Sequence, residues 1–208
     1  MTTGNGMSSK RPDFAAIAGW IQPRSSVLDL GCGDGTLLSY LRQTRDITGY
    51  GVEIDDASVL ACVKNGVNVV QSDLERGLSG FENNSFDYVV LSQTLQAMKN
   101  SEVIMREMLR VGREGIVTFP NFGYWKNRLE VLKGRMPVSE NLPYEWFDTP
   151  NVHLCAIADF ERFCEERDIR IVERKVLTRG RAVSLMPNLL GALAVYHFGN
   201  GRVVNGKR

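Results

Sequence analysis

Residues 27–35 constrain the fold of this 208-residue chain more than any other stretch. Apolar residues alternate around Asp29 as in a buried strand, three alternating glycines follow, and a helical pattern opens at Thr36. A strand that ends in a glycine loop and continues into a helix is typical of the nucleotide-binding corner of open α/β sheets. The glycines let a ligand approach the backbone closely, and they permit positive φ angles.

The spacing of the glycines distinguishes between two classes of nucleotide. A dinucleotide-binding loop has the pattern Gly-x-Gly-x-x-Gly. Here the third glycine, Gly35, comes one residue early, and Thr36 occupies the place of that glycine. Asp29, before the loop, is poorly suited to a pyrophosphate but well suited to a ligand with an ammonium and a sulfonium. The pattern predicts S-adenosylmethionine (SAM), or its demethylated product S-adenosylhomocysteine (SAH), rather than NAD.

Two further acids follow predicted strands. Glu53 closes the second strand (48–55), at the distance from the loop where a carboxylate holds a ribose diol. Asp73 closes the third (67–74), where it can accept from an adenine amine. The alternative is that both acids complement helix dipoles. The predicted cofactor contacts are Asp29, Gly31, Cys32, Gly33, Gly35, Glu53, Ile54, Asp73, Leu74 and, after the fourth strand, Ser92.

Composition excludes several functions. The formal net charge is +1, so no basic surface for nucleic acid or anionic lipid is predicted. No apolar run is long enough to span a membrane, and residues 1–10 do not resemble a signal peptide. Cys32, Cys62, Cys155 and Cys164 show neither metal-ligand spacing nor an obvious pairing. We therefore expect a cytoplasmic protein with reduced thiols, no metal, and no nucleic-acid or membrane partner.

Strands alternate with helices along most of the chain, which predicts an α/β fold with a mostly parallel sheet and helices on both faces. Strands are predicted at 27–30, 48–55, 67–74, 86–91, 115–119, 169–177 and 189–198. Helices are predicted at 12–21, 36–41, 57–64, 101–111, 124–133 and 158–167. Residues 1–9 are predicted to be disordered, 10–198 to form one domain, and 199–208 to be a flexible tail.

The alternation pauses between residues 121 and 155. This stretch is rich in aromatic residues, namely Phe122, Tyr124, Trp125, Tyr144, Trp146 and Phe147. We interpret it as one helix (124–133) followed by an irregular lid over the carboxyl ends of the strands. The alternative is a surface insertion with its own aromatic cluster.

The chain resembles class I SAM-dependent methyltransferases from about Val27 to the final strand, and within them the methionine biosynthesis MetW family. The closer resemblance is carried by residues 27–35, 92–97, 108–113, 119–123, 142–144 and 148–155. It implies a Rossmann-like class I methyltransferase fold, with a seven-stranded sheet whose last strand is antiparallel. It also implies that the protein acts beside homoserine O-acyltransferase.

The catalytic residues are less evident than the cofactor contacts. Many small-molecule methyltransferases carry a histidine after the fourth strand, where this chain has Ala97. Methyl transfer from a sulfonium often needs only alignment and desolvation, so the missing base does not exclude an enzyme. The candidates are His153, a residue type suited to acid–base catalysis, and Asn121, which could donate to an acceptor. Alternatively, the His153 ring hydrogen-bonds the loop backbone, and Asn121 caps the next helix.

Three functions are compatible with these features. The first is an enzyme that transfers methyl from SAM to an unidentified small molecule. The second is a SAM-binding partner of homoserine O-acyltransferase, which could report the level of methionine because SAM is made from methionine. The third is an NAD-dependent oxidoreductase, disfavoured by Thr36 and Asp73. We favour the second hypothesis and keep the active methyltransferase as its alternative.

Overall fold

The computed structural model describes residues 11–201. The N-terminal segment predicted to be disordered (1–9) lies outside the described residues. Of the predicted tail (199–208), residues 199–201 are described.

The centre of the fold is an eight-stranded sheet in the order β3-β2-β1-β4-β5-β8-β6-β7. The strands are β1 (Ser26–Leu30), β2 (Thr48–Glu53), β3 (Asn68–Gln71), β4 (Phe86–Ser92), β5 (Gly112–Pro120), β6 (Ile169–Thr178), β7 (Arg181–Ala182) and β8 (Leu193–Asn200). All pairings from β3 to β5 are parallel, whereas β8 is antiparallel to both of its neighbours, β5 and β6. The predicted α/β fold with a mostly parallel sheet is therefore confirmed.

The strand count differs from the predicted seven. The additional strand, β7, has only two residues and pairs with the end of β6 through a tight hairpin. Such a short edge strand carries no periodicity that a sequence pattern could reveal.

The predicted last strand (189–198) has the wrong boundaries at both ends. Pro187 opens a short helix that includes Leu189 and Leu190, because proline is well suited to the first helical position. The strand begins only at Leu193. At its other end it continues into the predicted tail, where Asn200 pairs with Ile169 of β6.

Helices cover both faces of the sheet. They are α1 (Pro12–Trp20), α2 (Thr36–Arg45), α3 (Asp56–Lys64), α4 (Ser101–Val111), α5 (Trp125–Leu132), α6 (Ile157–Glu166) and α7 (Pro187–Leu190). One buried apolar cluster joins the sheet to α4 and α6, and a second joins it to α1, α2 and α3. Successive residues of a strand point to opposite faces of the sheet, so Leu28 belongs to the first cluster and Val27 to the second. Burial on both faces explains why β4 is apolar without interruption from Tyr88 to Leu91.

Residues 133–156, all of which the structure describes, form neither a helix nor a strand and contain one isolated bridge, Ser139 to Leu142. Buried Leu142 anchors the turn at this bridge. Further on, the Val152 and His153 amides both donate to the Gln96 carbonyl oxygen, which ties the segment to the loop after β4. The irregular course agrees with the predicted one, and a lid function stays a prediction.

No helix within residues 11–201 has the length and apolar character needed to cross a membrane.

Candidate functional site

The glycine loop has open space beside one of its three glycines, Gly33. Gly31, Gly33 and Gly35 have φ angles of 67°, 55° and 76°, so all three occupy the left-handed region that favours glycine. A Cβ at Gly31 would lie 2.8 Å from Thr94 Oγ1, and one at Gly35 would lie 2.8 Å from Val67 Cγ2. A Cβ at Gly33 would meet nothing within 4 Å. Gly31 and Gly35 are therefore required by packing, while Gly33 leaves room for a ligand.

Two buried thiols support this loop from below. The Cys62 thiol donates to the Gly33 carbonyl oxygen over 3.1 Å, and its sulfur lies 3.7 Å from that of Cys32. Cys32 packs against Gly51, where a Cβ would come within 2.3 Å of its sulfur. Burial raises the pKa of both thiols, so both are neutral and unreactive near pH 7. The Cys32 side chain is a packing group, and its backbone amide and carbonyl oxygen bond the Val52 carbonyl oxygen and the Gly35 amide.

Glu53 binds the glycine loop directly. As the last residue of β2, it accepts a hydrogen bond from the Gly33 amide at Oε2, over 2.9 Å. Its Oε1 accepts from the Ile54 and Asp55 amides, over 2.8 and 3.0 Å. Each carboxylate oxygen can accept about two hydrogen bonds, so Oε2 retains acceptor capacity while Oε1 is fully used. Half-buried Glu53 thus has one oxygen available to a ribose hydroxyl.

Asp29 is a buried carboxyl group that forms no salt bridge within residues 11–201. It is 2 % exposed, and its Oδ1 has no hydrogen-bond partner among the described residues. Burial, opposed by the Arg11 charge and assisted by the charges of Glu53 and Asp13, raises the pKa of Asp29 to about 8. An unpartnered carboxyl oxygen next to a glycine loop suits a cationic ligand group, which would favour the ionised form.

Asp73 has a structural function that the sequence analysis offered as the alternative. It lies two residues beyond β3 rather than at its end, and its carboxylate caps the 3₁₀ turn Leu74–Arg76 by accepting from the Glu75 amide over 3.0 Å. The Ser72 amide donates to the Glu53 carbonyl oxygen, which holds this turn beside the end of β2. The second carboxylate oxygen of Asp73 faces only Arg76 at 3.9 Å, and it remains able to accept from a ligand.

The side chains at the predicted adenine position differ in exposure. Ile54 is largely exposed, beside Glu53, and Leu74 is half-buried against the core. Glu53 ends β2 and Ile54 follows it, whereas Asp73 and Leu74 lie beyond the end of β3, which is shorter than the predicted strand 67–74. Whether these residues contact a nucleotide stays a prediction.

Ser92 belongs to a polar network that the sequence analysis missed. The Arg11 guanidinium pairs with the fully buried Asp13 carboxylate at 2.7 and 3.1 Å, and it donates to Ser92 Oγ over 2.8 Å. Ser92 Oγ also donates to Asp13 over 3.1 Å, and the Gln93 side-chain amide donates to the same carboxylate over 3.4 Å. Burial alone would raise the pKa of Asp13, but its hydrogen bonds and the Arg11 charge outweigh burial and lower it.

This network brings the start of α1 to the carboxyl edge of the sheet. The contacts join residues about 80 positions apart in the chain, so no local pattern could reveal them. The one available signal was an acid in the first turn of an otherwise apolar helix, which normally indicates only a favourable dipole interaction.

The two catalytic candidates lie elsewhere and have structural contacts. Asn121 is fully buried; its amide donates to the carbonyl oxygens of Asn188 and Gly191, and its oxygen accepts from the amides of Gly123 and Ile157. Every hydrogen-bonding group of the amide is used, which leaves none for an acceptor. Exposed His153 contacts the Lys99 carbonyl oxygen through its ring over 3.2 Å, and it lines a groove of about 640 Å³ between α4 and α6. The His153 contact is the structural alternative given for that residue. Asn121 does not cap the next helix, because α5 follows Tyr124 without a side-chain cap; its oxygen instead accepts from the first amide of α6.

The architecture defines the class of this protein. A structure of an S-adenosylmethionine-dependent methyltransferase from Mesorhizobium loti is similar with a TM-score of 0.69 and 13% identity, over 93% of this chain and 99% of that chain. A second SAM-dependent methyltransferase, described as a possible histamine N-methyltransferase from Thermotoga maritima, gives 0.65 and 16% identity, over 91% and 88%. At these identities the similarity establishes the fold, which is that of the class I SAM-dependent methyltransferases.

Sequence similarity identifies the family within that class. The family described as "Methionine biosynthesis protein MetW" matches residues 11–198, so the chain belongs to the MetW family. The "Bifunctional methionine biosynthesis protein MetXA/MetW" of Rhodopirellula baltica is 39% identical over 171 residues, which are 77% of this chain. The match covers 27% of that longer protein, so this chain spans about a quarter of its relative's length.

Proposed function

We propose that this chain binds SAM or SAH at the glycine loop and acts with homoserine O-acyltransferase in methionine biosynthesis. The observation that carries the proposal is the relative from Rhodopirellula baltica, in which a MetXA part and a MetW part form one chain. Two activities fused in one organism commonly associate as separate chains in another. We assign the MetXA part to the acyltransferase, and this chain corresponds to the MetW part.

The nucleotide part of the proposal is supported by open space and carboxylate oxygens at the carboxyl edge of the sheet. Gly33 leaves space for a ligand, and Glu53 keeps one oxygen available at Oε2. Asp29 has an unpartnered oxygen that a cationic group of SAM would satisfy, and Asp73 has a weakly engaged oxygen for the adenine amine. When bound, SAM would supply an electrophilic methyl group, and the acids would hold its ends.

The structural contacts of the two catalytic candidates favour a regulatory role over catalysis. The Asn121 amide is saturated by backbone groups, and His153 lines a different cavity from Arg11 and Gln93. A protein that binds SAM without consuming it can change conformation or affinity with the level of SAM. Because SAM is made from methionine, such a protein would couple the acyltransferase to the end product.

A docking surface for the acyltransferase is available on the segment after α5. Trp146 and Phe147 are 73% and 69% exposed, and they contact each other edge to face with ring centroids 5.8 Å apart. Tyr144, Met136 and Val138 are also exposed on this segment. Neighbouring aromatic side chains that face solvent are typical of protein interfaces.

The test uses the acyltransferase from the same organism, purified alone and co-expressed with this chain. We expect the two proteins to co-elute, and we expect the acyltransferase rate to change when this chain is present and to change again when SAM is added. If they do not co-elute and the rate is the same in all mixtures, the partnership is wrong. Binding of SAH to the isolated chain, measured by calorimetry, tests the nucleotide part separately.

The active methyltransferase remains the second candidate because a polar cavity of about 350 Å³ opens beside Arg11 and Gln93. Such a space at the carboxyl edge could admit a methyl acceptor, and methyl transfer can proceed by alignment without a dedicated base. Transfer of labelled methyl from SAM to a pool of small metabolites, with protein-dependent formation of SAH, would favour this candidate.

A further inference from the structure

The polar cavity beside Arg11 lies at the same edge of the sheet as the glycine loop. Its walls come from the start of α1, the turn after β4, the tight turn held by the Ser139–Leu142 bridge, and the hairpin after β6. Leu177 and Leu193 contribute its apolar part. A second cavity of about 110 Å³ shares Glu140, Asn141 and Arg179 with it. A volume of about 350 Å³ is at the small end of the range for ligand sites.

Two of its lining residues have a strained backbone. Gln93 and Arg179 have φ angles of 54° and 50°, in the left-handed region that side chains other than those of glycine, asparagine and aspartate rarely adopt. The Gln93 conformation is fixed by its amide, which donates to both the Thr118 carbonyl oxygen and Thr118 Oγ1 over 3.0 Å. Strain of this kind persists where the surroundings enforce it, and it concentrates at functional sites.

The charges of the cavity are only partly paired. Arg11 uses Nε and Nη2 for Asp13 and Ser92, while its Nη1 has no partner among the described residues. Arg179 and Glu140, on opposite turns, form no ion pair or side-chain hydrogen bond within residues 11–201. The cavity is thus lined by two arginines and one glutamate whose charges are not fully paired with one another.

We propose that this cavity binds a free α-amino acid, separately from the nucleotide. The carboxylate of the amino acid would pair with Arg179 and the unused side of Arg11, and its ammonium would pair with Glu140. A ligand with only a carboxylate would be repelled by Glu140, and a ligand with only an ammonium group would be repelled by the two guanidinium groups. A zwitterion can pair its two charges with groups of opposite sign. The adjoining cavity, lined by Tyr124 and Leu142, would receive the side chain of the amino acid.

The amino-acid end of SAM carries the same two charges, so the experiment separates the two sources. L-Homoserine and each of the twenty standard amino acids are titrated by calorimetry into the protein, with and without saturating SAH. We expect at least one of them to bind in both conditions. We expect its N-acetyl derivative, which lacks the ammonium, to bind at least about tenfold more weakly.

Two variants assign the binding to this cavity. Arg179→Asn removes the charge but keeps a residue that tolerates the left-handed turn, and Glu140→Gln removes the carboxylate with little change of shape. Each variant is expected to lower the affinity for the amino acid by about tenfold or more. Arg181→Gln, two residues from Arg179 and outside the cavity, is expected to leave that affinity unchanged.

Three results would overturn the inference: no amino acid binds, the best one binds only without SAH, or both cavity variants bind it as tightly as the parent. The inference does not rest on the proposed nucleotide site. If SAH fails to bind, the proposed function loses its nucleotide part. The affinity of the two cavity variants for the amino acid still decides the inference in that case.

Discussion

The Glu53 carboxylate and the Gly33 amide are joined by a hydrogen bond of 2.9 Å between Oε2 and the amide nitrogen. This bond ties the end of β2 to the loop after β1, so the position of the acid and the shape of the loop depend on each other. Both parallel strands end at the same edge, where β1 pairs with β2 in register from Ser26↔Thr48 to Leu30↔Val52. A ligand that contacts the loop would therefore also contact Glu53.

Replacement of Glu53 by alanine should weaken SAH binding by about 1–3 kcal/mol, the range for hydrogen bonds to a charged group. We expect the protein to remain folded, because Glu53 is half-buried and bonds only loop amides rather than core groups. Calorimetry gives the affinity, and thermal unfolding checks the fold. The matched control is Glu82→Ala, an exposed acid whose side chain makes no hydrogen bond within the described chain. Equal affinities of parent and Glu53→Ala would refute the ribose assignment.

The isolated protein should bind SAH and not NAD. The reason is the loop spacing, with Thr36 as the first residue of α2 where a pyrophosphate-binding loop has its third glycine, and the unpartnered Asp29 carboxyl below the loop. A pyrophosphate there would meet a buried acid, whereas the ammonium of SAH would stabilise its ionised form. Titration with both ligands under one set of conditions decides the assignment, and NAD binding alone would reverse it.

The affinity for SAM should rise with pH because of Asp29. With a pKa of about 8, this carboxyl is largely protonated at pH 7 in the free protein, and a cationic ligand binds better to the ionised form. Binding therefore releases a proton below pH 8, and affinity should increase by at most about tenfold per pH unit up to that pH. The increase should level off above it.

Asp29→Asn is the control for that dependence, since it keeps the shape and removes the titration. The ratio of parent to variant affinity, measured from pH 6 to pH 9, cancels the titration of SAM itself. A ratio that stays constant across this range would show that Asp29 does not face the cationic end of the ligand.

The local part of the site could be predicted from the sequence because its determinants are local. The glycine loop follows β1, Glu53 is the last residue of β2, and Asp55 caps α3 by accepting from the Ser58 amide over 2.8 Å. Because β1 and β2 are parallel, their carboxyl ends lie at the same edge of the sheet, and no long-range contact is needed to predict this.

The remaining features depend on contacts that the sequence does not encode locally. The buried Asp13 carboxylate is held by Arg11 and by Ser92, which is 79 residues away. The side-chain amide of Asn121 donates both of its hydrogens to carbonyl groups 67 and 70 residues away, so it has none left for a ligand. The apolar run 189–198 looked like one strand, but Pro187 and Gly191 make its first residues a helical turn. Such competition between local and tertiary preferences is decided by packing.

Trp146→Ala should separate docking from ligand closure, because Trp146 is among the most exposed large side chains of the irregular segment. Removal of one central interface aromatic typically costs about 2 kcal/mol, which corresponds to roughly thirtyfold in the affinity for homoserine O-acyltransferase. SAH binding should change little, since Trp146 lines a surface cavity with Arg135, Met136 and Val138 rather than the glycine loop.

Leu185→Ala supplies the matched control for Trp146→Ala, because Leu185 is a 72% exposed apolar residue outside the irregular segment. If the acyltransferase docks on the irregular segment, the affinity for it should be unchanged in Leu185→Ala and reduced in Trp146→Ala. If the segment instead closes over a ligand, Trp146→Ala keeps the complex and impairs SAH binding or methyl transfer. The two affinities measured on one variant therefore decide between partner and enzyme, and the exposure of the Trp146–Phe147 pair favours the partner.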